Sequence, residues 1–98
     1  MDDDRLTEKL AANVFGWKLA PDRFIKSGRS WIPRWRFSPL ERLEDAFGLL
    51  ERVATSYRLE VCDGGVFTVE VRVGSKIGKA SGEPKARTIT LAVAAALE

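Results

Sequence analysis

Apolar residues recur at helical spacing near the start of the chain and predict a helix over about 5–15. The apolar side of this helix is formed by Leu6, Leu10, Val14 and Trp17. Asp2 to Asp4 supply hydrogen-bond acceptors and negative charge where the helix begins, which is favourable against its dipole. Gly16 is the residue type that ends a helix in the left-handed conformation.

A second helix is predicted from the sequence Ser38-Pro39-Leu40-Glu41, which has the form of a capping box with proline at the first helical position. The apolar stripe that follows consists of Leu40, Leu43, Ala46, Phe47, Leu50, Val53 and Ala54. Charged residues occupy the opposite side of this helix, and we interpret that side as solvent-exposed.

A third helix is predicted over 85–98, and residues 91–97 are almost all small and apolar. The distance between two packed elements depends on the side chains at their contact. We therefore expect another element to approach the alanines of this helix closely.

Alternation of apolar and polar residues over 57–62 and 67–73 predicts a β-hairpin. Opposed residues must share a face of the sheet, and pairing Val61 with Phe67 satisfies this condition. That register leaves an Asp-Gly-Gly loop over 63–65, in which Gly65 can adopt the left-handed conformation. It also places Arg58 opposite Glu70, a favourable cross-strand pair.

The remaining segments lack a clear period. Turn residues at 21–22 and 27–28 are followed by an irregular or edge strand predicted over 31–37, since Pro33 cannot donate to a central ladder. Residues 74–82 are predicted to form a loop. That segment lacks the Gly-Lys-Ser/Thr ending of a phosphate-binding loop, so we do not expect nucleotide binding.

These elements predict a single α+β domain over residues 1–98, in the order helix, irregular or edge strand, helix, strand, strand, helix. The sheet is expected to be antiparallel, built on the hairpin and covered by helices. The predicted core consists of Leu10, Val14, Trp17, Phe47, Leu50, Leu59, Val69, Val71, Ile89 and Val93.

Residue usage argues against catalysis. The chain has no histidine and one cysteine, Cys62, which excludes Ser-His and Cys-His pairs, histidine metal sites and an internal disulfide. We expect no enzymatic activity, no catalytic residues, no metal and no cofactor. An acidic N-terminus and the lack of an apolar run long enough to span a membrane lead us to expect a cytoplasmic protein without a membrane partner.

Charge is segregated along the chain although the net charge is +2. Residues 23–36 and 72–87 are strongly basic, whereas acidic residues gather at the N-terminus and on the second predicted helix. We therefore predict a basic side of the molecule. The candidate binding residues on it are Arg29, Trp31, Arg34, Arg36, Lys76, Lys79, Lys85 and Arg87.

Three interpretations of this basic side remain open. Interleaved tryptophan and arginine are typical of a nucleic-acid surface. The same residue types anchor protein interfaces and suit an acidic protein partner. In the third interpretation the arginines only keep the surface hydrated, and Trp17, Trp35 and Phe37 lie in the core.

Four motifs follow one another along the chain: the LAANVFGW sequence of 10–17, Phe37-Ser38-Pro39 with Ala46, Phe47 and Leu50, the strand 67–71, and 80–83 with the alanine-rich end of the chain. In this order they resemble a family of small phage and prophage proteins, the phage ABA sandwich domain. The resemblance implies helices on either side of a sheet and a phage or prophage origin. It implies no established activity. The chain departs from the family at Phe47, where tryptophan is usual, and in its arginine-rich segment.

A second resemblance covers the C-terminal segment. Residues 78–81, with Lys85, Arg87 and the alanine-rich helix, are similar to the end of double-stranded RNA-binding domains, which place lysines at a helix start against phosphates. Pro84 interrupts the lysine pair here.

The function that we predict is that of a non-catalytic accessory protein, encoded by a phage or prophage, that binds a host protein in the bacterial cytoplasm. Inhibition of a host defence complex is one form that this binding could take. The alternative is a module that binds nucleic acid through the basic side.

Overall fold

The computed structural model describes residues 3–61 and 63–97. In chain order the elements are α1 (Asp3–Phe15), β1 (Lys18–Leu19), β2 (Arg23–Ser27), β3 (Ser30–Pro33), a 3₁₀ turn (Arg34–Arg36), α2 (Leu43–Val53), β4 (Ser56–Val61), β5 (Phe67–Val73), β6 (Lys76–Ser81) and α3 (Lys85–Leu97).

Within the described residues, three α-helices and two three-stranded antiparallel sheets make an α+β fold, which confirms the predicted class. The sheets have the strand orders β1-β2-β3 and β4-β5-β6. The chain divides into two compact units, which we call the N-terminal unit (1–38) and the C-terminal unit (39–98). A single domain over 1–98 stays a prediction.

Helix α1 ends as predicted at Gly16, whose φ is 71°. The Gly16 N–H donates to the Ala12 carbonyl over 3.1 Å, which satisfies a carbonyl of the last helical turn. Asp3 and Asp4 lie in the first turn, where the helix dipole favours negative charge, and Asp2 lies outside the described residues.

The N-terminal unit contains a sheet where the sequence predicted mostly irregular structure. The predicted turns at 21–22 and 27–28 do separate strands. The prediction of one extended element over 31–37 is wrong, because β3 ends at Pro33 and residues Arg34–Arg36 turn. The Phe37 N–H donates to the Arg34 carbonyl over 3.4 Å and closes this turn.

An aromatic cluster fills the interior of the N-terminal unit. Trp17 stacks on Phe15 with ring centroids 4.7 Å apart and meets Phe37 edge-on at 5.2 Å. Phe24 of β2 meets Phe37 edge-on at 5.8 Å, and both phenylalanines are buried. Offset and edge-on ring pairs of this kind add to the stabilisation from buried apolar area.

The prediction of a capping box at Ser38 is wrong. Helix α2 begins at Leu43, after an extended Arg42 that provides no side-chain cap. The buried Thr90 hydroxyl donates to the Pro39 carbonyl over 2.7 Å, and Pro39 and Leu40 are buried within a turn. The residues expected in the first helical turn are therefore used to pack against α3 (Lys85–Leu97).

Because α2 begins later than predicted, its buried side also differs. The structure buries Ala46, Leu49 and Leu50, and Leu49 was absent from the predicted stripe. Leu43, at the start of the helix, is exposed.

The predicted register of the hairpin is confirmed. Val61 pairs with Phe67 and Arg58 pairs with Glu70, and Gly65 has a φ of 81°. Cys62, at the end of the first predicted strand, lies outside the described residues.

The prediction of a loop over 74–82 is wrong, because residues Lys76–Ser81 form β6, the third strand of the C-terminal sheet. Gly78 of β6 is buried directly beneath the backbone of α3 at Ala92 and Ala96. The alanine-rich side of α3 is thus approached closely, as predicted. The glycines that suggested a loop include the one that makes this contact.

Six predicted core residues are buried: Leu10, Leu50, Val69, Val71, Ile89 and Val93. Val14, Trp17 and Phe47 are half-buried. The prediction is wrong for Leu59, which is exposed because α3 packs against β5 and β6 and leaves β4 at the edge. In the part of the chain that the structure describes, no helix is long and apolar enough to span a membrane.

Candidate binding surface

The sheet of the N-terminal unit has an inner face that carries Phe24 and an opposite face that we call the outer face. Strand register aligns Lys18, Ile25 and Trp31 in one row across β1, β2 and β3 on this outer face. Arg23 pairs with Pro33 on the same face, two residues along each strand. The outer face thus combines an aromatic ring with two cationic side chains.

Trp31 is held in a short stack with charged residues. Its ring lies 4.2 Å from the guanidinium carbon of Arg23, within cation–π range. Arg23 donates from Nε and Nη2 to the two carboxylate oxygens of Asp22, over 2.9 and 2.8 Å. These hydrogen bonds hold the pKa of Asp22 below its ordinary value and raise the pKa of Arg23. Trp31 itself is 49% exposed.

Trp35 is the most exposed tryptophan, at 70%, and lies in the 3₁₀ turn. The guanidinium carbon of Arg36 is 6.0 Å from its ring centroid. The interpretation that placed Trp17, Trp35 and Phe37 in the core is therefore correct for Phe37, partly correct for Trp17 and wrong for Trp35. A strand would have turned Trp35 inward with Phe37, whereas the 3₁₀ turn directs it to solvent.

Arg34 serves the fold of the N-terminal unit. Its Nε and Nη2 donate to the Ala20 carbonyl over 2.9 and 2.5 Å, and its Nη1 lies 3.3 Å from Oε1 of Glu8. The guanidinium also lies over the ring of Phe24 at 4.7 Å. Arg29, in contrast, is exposed in the turn between β2 and β3.

The other four predicted binding residues belong to the C-terminal unit and do not share one face. Lys79 of β6 pairs with Glu70 on the polar face of the sheet, away from α3. Lys85, at the start of α3, lies over the ring of Phe67 at 5.6 Å, on the side that α3 covers. Lys76 begins β6, and Arg87 is half-buried in the first turn of α3.

Sequence reasoning did not select Lys18, Arg23 and Ile25 for this surface. Turn residues on both sides of 23–27 were recognised, but the strand between them was not. The alternation of Arg23, Phe24 and Ile25 is the signal that could have placed Arg23 beside Trp31.

Two further features of the described residues bear on chemistry. A depression of about 330 Å³ lies at the β4 edge, lined by Ser56, Tyr57, Arg58, Glu70 and Arg72. No group of three or more histidine, cysteine, aspartate or glutamate residues in the described ranges is placed to hold a metal ion.

The chain is similar in structure to a phage protein from Bacillus cereus ATCC 14579. The two share 20% sequence identity, the alignment covers 98% of this chain and 92% of that one, and the TM-score is 0.73. At this identity the likeness shows a common fold. No protein-family model and no curated protein matches the chain, so membership of the phage ABA sandwich family and similarity to RNA-binding domains stay predictions.

Proposed function

We propose that the protein is a non-catalytic accessory protein of phage or prophage origin that binds an acidic surface of a host protein. The proposed binding residues are Arg23 and Trp31 on the outer face of the N-terminal sheet, together with the exposed Arg29, Trp35 and Arg36 in turns of the same unit. The proposed place of action is the cytoplasm of the bacterial host. The shared fold with a phage protein supports the proposed origin.

The observation that carries this proposal is the exposure of two indole rings, each beside a guanidinium. Trp35 is 70% exposed and Trp31 is 49% exposed. Tryptophan and arginine are the residues most enriched among the energetic anchors of protein interfaces. Placing both types together on one small unit favours a role in recognition over a role in folding.

The arrangement of charge favours a protein partner over nucleic acid. Surfaces that bind nucleic acid track phosphates with cations and stack bases on aromatic rings. Here Arg23 covers one side of the Trp31 ring and donates two hydrogen bonds to the Asp22 carboxylate. Arg34 is committed to Ala20 and Glu8 inside the unit. Fewer cations are therefore available than the sequence suggested.

The experiment captures partners on the immobilised protein from a lysate of the bacterial host, with and without nuclease. The binding of any recovered protein is then measured by interferometry for the wild type, Trp35→Ala and Leu43→Ala. Leu43 is the matched control, since it is an exposed apolar side chain of the C-terminal unit. The proposal expects a nuclease-resistant partner whose dissociation is about tenfold or more faster from Trp35→Ala, a loss typical of an interface anchor.

Salt dependence separates this proposal from its alternative. Affinity for duplex falls with salt at a log–log slope of about −0.9 for each phosphate contact. We expect weak binding to a random DNA or RNA duplex at low salt that is lost at about 0.15 M, where screening is already strong. Tight duplex binding at that salt, or a partner that dissociates equally from Trp35→Ala and Leu43→Ala, would overturn the proposal.

A further inference from the structure

β4 (Ser56–Val61) is an edge strand of the C-terminal sheet. It pairs with β5 on one side, and no strand of the described residues pairs with it on the other. All six of its residues are exposed. An edge strand presents a row of unpaired N–H and C=O groups, which makes it a template for pairing with another chain.

The other sheet edges carry features that discourage such pairing. β1 has two residues, β3 ends in Pro33, and β6 carries Lys76 and Lys79. Short strands, proline and lysine are the devices by which proteins protect edges. β4 contains no proline and no lysine, and its register with β5 runs from Ser56 to Val61 without a bulge. Among the described strands, β4 therefore has the edge best suited to pairing.

The charges of β4 select a second copy of the same strand. In an antiparallel pair of two copies, opposed residues share a face, so the registers that pair five residues of each strand centre on residue 58 or 59, whereas a register centred on residue 60 pairs only three. Centring on Arg58 opposes arginine to arginine, and centring on Glu60 opposes glutamate to glutamate. Centring on Leu59 opposes Arg58 of each copy to Glu60 of the other. Opposite charges stabilise such pairs and like charges destabilise them.

The apolar face of β4 agrees with the same register. Centring on Leu59 opposes Leu59 to Leu59 and opposes Tyr57 to Val61 of the second copy. These side chains are 37%, 47% and 61% exposed in the single chain, because α3 packs on β5 and β6. Pairing would remove much of this apolar area from water.

The polar face of β4 has a depression and charged side chains outside any ion pair at the same place. In the described part of the chain, neither Arg58 nor Glu60 takes part in an ion pair. The depression at this edge is lined by two arginines, Arg58 and Arg72, and by one acidic residue, Glu70. Glu60 of the second copy, opposed to Arg58, would approach this depression as a second carboxylate beside its two guanidinium groups.

We infer that two copies of the chain associate through β4, in antiparallel register centred on Leu59, to form a continuous six-stranded sheet. A pair of six-residue strands is a small interface, so the dimer forms and dissociates with concentration. Each dimer contains two Arg58–Glu60 pairs that are related by the two-fold axis.

The test is sedimentation equilibrium of the wild type, Arg58→Glu and Glu60→Arg over a range of concentrations. Either substitution converts both opposed pairs from attractive to repulsive. We expect the dissociation constant of the homodimer to rise about tenfold or more in each case. An equimolar mixture of the two variants restores opposite charges at both positions, so it should dimerise about as well as the wild type. Lys79→Glu is the control, since it reverses a charge on the same face at a distance from β4.

Circular dichroism establishes that each variant is folded, and recovery in the mixture would itself show that both variants retain the edge. A wild type that stays monomeric at every concentration overturns the inference. A dimer that survives either charge reversal, or a mixture that fails to recover, also overturns it.

Discussion

Gly78 of β6 lies against the backbone of α3 at Ala92, with no room for a side chain between them. A Cβ built on Gly78 would overlap the Ala92 carbonyl oxygen and would lie 2.5 Å from the Ala96 amide nitrogen. Strand and helix meet through backbone atoms at this point. The contact requires glycine on the strand and small residues on the helix, which connects the alanine-rich composition of α3 to its position on the sheet.

Gly78→Ala should therefore destabilise the protein by about 3 kcal/mol, the upper part of the usual range for overpacking, as measured by urea unfolding. Gly48→Ala is the matched control. Gly48 lies within α2, is exposed, and has no atom near the position of an added Cβ. Because alanine is the better helix former, this control should stabilise by about 0.5–1 kcal/mol. Equal effects of the two substitutions would contradict the packing described for α3.

Thr90→Val should cost about 2 kcal/mol, because it leaves the buried Pro39 carbonyl without its donor. Thr88→Val is the comparison. The Thr88 hydroxyl and the Thr88 N–H both donate to the Pro84 carbonyl, each over 3.1 Å, so removing the hydroxyl leaves that carbonyl satisfied. We expect Thr88→Val to be nearly neutral in urea unfolding. If both variants unfold at the wild-type midpoint, the bond from Thr90 does not hold the turn before α2.

Arg34→Ala should lower the free energy of unfolding by about 2 kcal/mol, since it removes charge-assisted hydrogen bonds to the Ala20 carbonyl and the ion pair with Glu8. Arg34→Lys should recover part of this loss, because an ammonium cannot reproduce the guanidinium fork. Arg29→Ala removes an exposed arginine of the neighbouring turn and should change stability by less than about 0.5 kcal/mol. Thermal unfolding, monitored by circular dichroism, would rank the stabilities of the three variants. If Arg29→Ala destabilised the protein as much as Arg34→Ala, the structural role of Arg34 would be refuted.

Asp22 should titrate below its ordinary pKa of 3.8, because Arg23 donates two hydrogen bonds to the carboxylate. A carboxyl whose pKa is lower in the folded chain adds stability above the unfolded pKa. That stability disappears as the pH falls through the folded pKa. NMR titration of the side-chain carboxyl carbon measures the shift. Arg23→Gln should return the Asp22 pKa towards 3.8, whereas Arg29→Gln should leave it low; an unchanged pKa in Arg23→Gln would argue against the Asp22–Arg23 pair.

The register of the hairpin could be predicted because its cues are local and agree. Alternation fixes which residues share a face, the glycines fix the turn, and Arg58 with Glu70 fixes the register. Helices α1 and α3 were predicted for a similar reason, since composition and period coincide within each segment.

The sequence-based predictions fail where a contact with a residue distant in the chain decides the local structure. Ser38 has the local features of a helix cap, but Thr90, about fifty residues later in the chain, holds the Pro39 carbonyl in a turn. Gly78 has the local features of a loop, but the closeness of α3 makes glycine the residue that the strand needs at this position. Local secondary-structure propensity contains no information about either contact.

The sequence predicted the exposure of some candidate surface residues and not of others. Trp31 was selected correctly as an exposed aromatic residue, whereas Arg34 was selected for a surface and serves the interior. The difference depends on where one turn begins, because the 3₁₀ turn after Pro33 directs Trp35 outward and brings Arg34 to the Ala20 carbonyl.

The distribution of aromatic residues gives each unit its own optical signal. All three tryptophans, Trp17, Trp31 and Trp35, lie in the N-terminal unit, and Tyr57 is the one tyrosine of the chain and lies in the C-terminal unit. Intrinsic tryptophan fluorescence therefore reports on the N-terminal unit alone, with Trp17 shielded among phenylalanines and Trp35 open to a soluble quencher. Helices of both units contribute to the helical ellipticity, so comparing that emission with the ellipticity during denaturation shows, without any label, whether the N-terminal unit unfolds together with the rest of the chain.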